Sequence, residues 1–63
     1  MIKDIIHPET WAAMADWAKT QKRVTNRMIC ERFDLNETRA DLVYQALKQD
    51  GIIGSMGYVE VKA

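Results

Sequence analysis

The sequence predicts a small α+β domain in which three helices are followed by a short C-terminal β-hairpin. Three segments carry apolar residues at helical spacing, and each of them starts at a proline or a capping residue. After the third segment, two short apolar stretches flank a turn with two glycines, which is typical of a hairpin. A chain of 63 residues has room for one domain, and we expect it to span residues 1–63.

The first helix is predicted over about residues 8–20. Pro8 suits the first helical position, where its missing N–H group costs nothing, and Glu9 complements the positive end of the helix. Trp17 lies to the side of the apolar face and is expected to be only partly covered. The apolar face itself is expected in the core and consists of Trp11, Met14, Ala15 and Ala18.

The second helix is predicted over about residues 26–33, with Thr25 as its N-cap. Ile29 and Phe33 are one turn apart, so both side chains should point inward. Residues 34–36 then form a break of about three residues, the length expected in a helix-turn-helix.

The third helix is predicted over about residues 37–50, with Asn36 as its N-cap and Gly51 as the left-handed residue after its end. Its inner face is expected to consist of Ala40, Val43 and Leu47. Its outer face is expected to consist of Thr38, Asp41, Leu42, Gln45 and Gln49.

The hairpin is predicted over about residues 52–61. Ile52-Ile53 forms its first strand, the turn 54–57 follows, and the alternating residues 58–61 form the returning strand. Val24 is expected to join a short strand before the second helix. Three helices followed by such a hairpin make the winged helix-turn-helix arrangement.

The net charge is zero, because nine Lys and Arg residues balance nine Asp and Glu residues. The distribution along the chain is uneven. Residues 19–32 carry five bases and one acid, a net of +4, while residues 1–18 and residues 33–63 each carry a net of −2. Since attraction to phosphates supplies much of the affinity for nucleic acids, this middle segment is the candidate for contacting them.

Two motifs stand out in the C-terminal half: Arg32-Phe33-Asp-Leu-Asn-Glu-Thr-Arg-Ala40 and Leu47-Lys-Gln-Asp-Gly-Ile-Ile-Gly54. Together they resemble the winged-helix γ domain at the C-terminus of bacterial DNA translocases, over about residues 24–61. The resemblance implies a winged helix that binds DNA through the start of its third helix. Arg39 matches the family's arginine there. Thr38, Asp41 and Leu42 replace an asparagine, an alanine and a second arginine.

These observations predict a small DNA-binding protein, a transcriptional regulator or an accessory factor of phage or plasmid type. In a helix-turn-helix the third helix enters the major groove, while the start of the second helix contacts the phosphate backbone. Thr38 and Gln45 are suitable partners for base edges, and Leu42 for a thymine methyl group. The residues expected at duplex DNA are Lys22, Arg23, Thr25, Asn26, Arg27, Asn36, Thr38, Arg39, Leu42 and Gln45.

The main alternative is a winged helix that binds a protein instead of DNA, such as a phage-encoded inhibitor that docks on a host or defence complex. The zero net charge and an exposed Leu42 fit this alternative. Trp17 offers a second candidate interface, through which the chain would form a homodimer. A purely structural subunit that only dimerises through the first helix is the third alternative.

The sequence favours no enzymatic activity. It contains no nucleophile-and-base pair at plausible spacing and no glycine-rich phosphate loop. His7 and Cys30 stand alone, so we expect neither a metal site nor a cofactor, and Cys30 is expected to be a small buried residue. No apolar stretch approaches the roughly 20 residues of a membrane span. We therefore expect a cytoplasmic protein that does not bind membranes.

Overall fold

A computed structural model describes residues 6–61 of the chain. It contains three α-helices and one short 3₁₀ turn: α1 (Pro8–Lys19), α2 (Asn26–Phe33), α3 (Glu37–Gln49) and the turn Ser55–Gly57. The three helices expected from the sequence are therefore present. α1 and α3 each end one residue before the expected position, and Thr20 and Asp50 are their C-caps. None of the helices in this part of the chain is long and apolar enough to cross a membrane.

A side chain caps the start of each helix. The His7 imidazole accepts a hydrogen bond from the backbone N–H of Glu9, at 3.2 Å. The Thr25 hydroxyl accepts from the third residue of α2, at 3.3 Å. The side-chain Oδ1 of Asn36 accepts from the N–H of Arg39, at 2.8 Å. Each bond satisfies one of the N–H groups that a helix start leaves without a helical partner, so the starting points follow from local sequence.

The chain reverses between α2 and α3 through Asp34, which has a left-handed backbone with φ 54°. Asp tolerates this conformation better than most residues, since its short polar side chain can bond locally. The Leu35 N–H returns to the Cys30 carbonyl at 3.1 Å, which closes the end of α2. The two helices then pack against each other within a connection of three residues.

The core is apolar, and residues from all three helices and from both bridged segments fill it. The inner face of α3 is buried as the helical spacing predicted, and Ile29 of α2 is fully buried against it. The buried apolar residues are Met14, Ala15, Ala18, Val24, Ile29, Ala40, Val43, Ala46, Leu47, Ile52, Ile53 and Val59.

Three residues at the edge of the core are less covered than a core residue. Trp17 is half-buried and stands edge-on to Phe33, with the ring centroids 5.3 Å apart and the planes at 88°. Trp11, which the sequence predicts in the core, packs against the core but is only partly buried. Cys30 is also half-buried rather than buried, since α2 turns that side toward a surface depression beside the start of α3.

The prediction of a regular β-hairpin over about residues 52–61 is wrong for the part of the chain that the structure describes. Two isolated antiparallel bridges occur instead, Ile53 with Val59 and Arg23 with Tyr58. The 3₁₀ turn separates residues 54 and 58, and the N–H groups of both Glu60 and Val61 point to the carbonyl of Ile52. In a regular antiparallel ladder, two successive N–H groups do not share one carbonyl, so the ladder cannot continue past Ile52.

The C-terminal segment has a second backbone neighbour in the loop before α2. The Val24 N–H donates to the Gly57 carbonyl at 2.8 Å, and the Val59 N–H donates to the Lys22 carbonyl at 3.1 Å. Residues 57–59 therefore lie between the loop 22–24 and residues 52–53. The predicted short strand at Val24 is present only as these contacts.

Gly57 allows this close approach. Its φ is +82°, and a Cβ there would overlap the carbonyl oxygen of Val24.

We expect Gly57→Ala to lower the free energy of unfolding by more than about 2 kcal/mol, since backbone strain adds to the steric clash. Gly51→Ala is the matched control, because Gly51 has φ +77° but open space around its Cβ position. It should lose only about 1 kcal/mol in urea denaturation. Equal losses in the two variants would show that the Val24 contact is unimportant.

The Thr25 cap gives a second stability prediction. Thr25→Ala removes the acceptor for the Met28 N–H and should destabilise the protein by about 1 kcal/mol. Thr25→Ser keeps the hydroxyl and should stay close to the original stability. Thermal unfolding followed by circular dichroism compares them, and a serine variant as unstable as the alanine variant would argue against the cap.

Candidate nucleic-acid interface

The outward face of α3 is open to solvent. All five residues that the helical spacing assigned to this face are exposed: Thr38, Asp41, Leu42, Gln45 and Gln49. Leu42 is the apolar member, with 41% of its surface exposed. A helix with this face uncovered is able to meet another molecule along its whole length.

A surface depression opens between the start of α2, one flank of α3 and the turn 54–57, and we call it the Arg23 groove. The loop before α2 and the first turn of α2 form one wall, and α3 forms the other. Met56 lies at the turn side of the groove. The polar residues that line it are Arg23, Thr25, Asn26, Arg27, Asp41 and Tyr44. The structure thus brings together four of the residues expected at DNA.

Arg23 joins the loop before α2 to the turn. Its Nε donates to the Met56 carbonyl at 2.8 Å, and its guanidinium lies 5.4 Å from the centroid of the Tyr58 ring. The sequence does not reveal this contact, because 33 residues separate the donor from the acceptor. An arginine has five N–H donors, so this bond leaves the outer nitrogens of Arg23 for another partner.

Asn26 and Asp41 face each other across the Arg23 groove. The Asn26 amide nitrogen lies 3.4 Å from a carboxylate oxygen of Asp41, which is a long hydrogen bond between exposed groups. The contact places a negative charge beside the positive start of α2. Sequence reasoning gave Asn26 a role at phosphates and missed this partner, since the two residues are on different helices.

Arg27 forms an ion pair with Glu31 one turn further along α2. The nitrogen and oxygen are 3.1 Å apart, and the side chains are 87% and 69% exposed. Exposed pairs of this kind contribute little to stability, so Arg27 is available to a more strongly charged partner.

The other residues expected at DNA lie outside the Arg23 groove. Asn36 lines the neighbouring depression, and its side chain is engaged in capping α3. Arg39 is exposed and stands two residues from Asp41, which corresponds to about 200° around the helix. Arg39 and the Arg23 groove are therefore on opposite flanks of α3. Lys22 is exposed in the loop, and its carbonyl accepts a hydrogen bond from the Val59 N–H.

Several apolar side chains outside the core are exposed in the described residues. Met56 is 67% exposed and Tyr58 55%, and both belong to the turn region beside the Arg23 groove. Trp17, which the sequence offers as a homodimer interface, is half-buried and stands edge-on to Phe33. Two of the exposed apolar side chains therefore lie near the turn, while Leu42 lies on the outer face of α3 and Val61 lies near the end of the described chain.

Comparison with models of protein families, with curated proteins and with solved structures finds no match. The resemblance to the γ domain of DNA translocases stays a prediction from the two sequence motifs. What the structure itself shows is a small three-helix domain.

Proposed function

We propose that the chain is a winged helix-turn-helix domain that binds duplex DNA. In this proposal α3 enters the major groove, residues 22–27 contact phosphates, and the turn 54–57 serves as a short wing. The observation that carries the proposal is the Arg23 groove, where two arginines and the first turn of α2 lie beside the exposed face of α3.

The dimensions of α3 support this docking. Its 13 residues extend over about 20 Å. An α-helix whose outer face is not covered by another element fits the major groove, which is about 12 Å wide. Thr38 and Gln45 are exposed on the outer face and carry hydrogen-bonding groups that match base edges. Arg39, on the far flank, would meet the opposite phosphate backbone.

The start of α2 supports phosphate contact on the near side. The first N–H groups of a helix have no helical partner, and the Thr25 hydroxyl takes only that of Met28. The N–H groups of the first two residues point out of the helix end, where the dipole favours an anion. Arg27 on the same turn adds a full positive charge.

The salt dependence of binding tests the proposal directly. Three or four phosphate contacts predict a slope of log K against log salt of about −2.7 to −3.6, so affinity for a random-sequence duplex should fall roughly 40- to 150-fold between 50 and 200 mM salt. Fluorescence anisotropy of a labelled duplex measures this. An absence of binding at 50 mM salt would overturn the proposal.

Single arginine variants test the docking face. Arg27→Ala and Arg39→Ala should each weaken binding and reduce the salt slope by about 0.9, since each removes one phosphate contact. Arg32→Ala is the matched control, because Arg32 is exposed at the far end of α2, about 140° around the helix from Arg27, and lies against Phe33. If the control loses as much affinity as the other two, only net charge matters and the assigned face is wrong.

The second candidate function is a winged helix that binds a protein. The exposed apolar side chains of Leu42, Met56 and Tyr58 favour it, since clusters of such residues often mark protein contacts. A chain that binds no duplex at low salt, yet cross-links to a protein partner through a probe at residue 56, would support this function over DNA binding.

A further inference from the structure

Asp41 is an unusual residue for the position that it occupies. It is exposed on the face of α3 proposed to meet DNA, and it lines the Arg23 groove together with Arg23 and Arg27. A carboxylate there would face phosphates of the same sign, and a juxtaposition of like charges opposes binding. A face that binds DNA with this residue present needs a compensating contact.

The hydrogen bonding of Asp41 leaves room for such a contact. Within residues 6–61 the Asn26 amide donates to one oxygen of Asp41, at 3.4 Å, and this bond uses one acceptor site of that oxygen. An ionised carboxylate has about four acceptor sites and no donor. Asn26 therefore orients Asp41 without saturating it, and any further partner has to be a hydrogen-bond donor.

Few groups in the major groove are donors. Guanine presents two acceptors there, thymine presents an acceptor and a methyl group, and adenine presents a donor beside an acceptor. Cytosine presents its N4 amino group, which is the usual partner of an aspartate or glutamate. An acceptor-only side chain is compatible with cytosine and is repelled by guanine.

We propose that Asp41 is a specificity-determining residue that selects for a cytosine at one position of the DNA site and weakens binding to other sequences. The inference rests on the proposed DNA-binding function. Non-matching DNA leaves the carboxylate without a donor and close to phosphates, so discrimination arises from rejection of wrong sequences as well as from the contact with the right one.

Selection from randomised duplexes tests this inference with the full chain and two variants. Asp41→Asn keeps the size of the side chain but adds a donor, and asparagine pairs with adenine through N6 and N7. We expect the wild-type chain to prefer cytosine at one position and Asp41→Asn to prefer adenine there. Asp41→Asn should also bind a random-sequence duplex roughly fivefold or more tightly, since the repulsive charge is gone.

Asp16→Asn is the matched control. Asp16 is exposed on α1 and lies outside the Arg23 groove, so this variant makes the same change in net charge at another place. It should keep the base preference of the wild-type chain and gain less affinity for the random duplex than Asp41→Asn. If all three chains bind DNA with identical base preferences, the specificity role of Asp41 is overturned and the proposed DNA-binding function still stands. Absence of any duplex binding by the wild-type chain would instead overturn the proposed function on which the inference rests.

Discussion

The backbone bond from the Val24 N–H to the Gly57 carbonyl joins the loop before α2 to the end of the chain. Its neighbour, from Val59 to the Lys22 carbonyl, fixes the same two segments in an antiparallel arrangement. The approach is close enough that only a residue without a Cβ fits at position 57. Val24 and Val59 are both buried, so the bonds lie against the apolar core and are shielded from water. The position of the turn relative to α2, and hence the Arg23 groove, depends on this pairing.

Arg23 adds a side-chain contact at the surface to this backbone pairing of the loop with the C-terminal segment. Its guanidinium bonds the Met56 carbonyl and lies over the Tyr58 ring, so one side chain bridges the loop and the turn. Met56 adopts φ 66° without being a glycine, a conformation that needs support from its surroundings. The same arginine thus helps to hold the turn and contributes positive charge to the groove. This double role explains why a turn without a strand ladder beside it keeps a defined position.

The charge balance of the groove distinguishes this domain from a simple basic surface. Arg27 is paired with Glu31, and Asn26 is paired with Asp41, so an acidic group accompanies each of the first two residues of α2. These contacts are exposed and contribute little to folding. Under the proposed DNA-binding function their effect would be on binding, because an incoming polyanion would have to displace or match them. A neutral chain of this kind would gain selectivity at the expense of general affinity for phosphate.

Local patterns in the sequence determined the helices and their starting points, because a cap such as Thr25 or Asn36 acts on an N–H group only three residues away. The inner and outer faces of α3 also followed from the sequence, since helical geometry alone assigns them. The replacement of the predicted hairpin by isolated bridges, the partial burial of Trp11, and the partners of the residues in the Arg23 groove did not. They depend on contacts between residues far apart in the chain, and only the tertiary structure brings those residues together. Two glycines and alternating apolar residues indicated a hairpin, but the N–H of Val59 donates to Lys22 while those of Glu60 and Val61 donate to Ile52, so residues 59–61 bond to two separate segments.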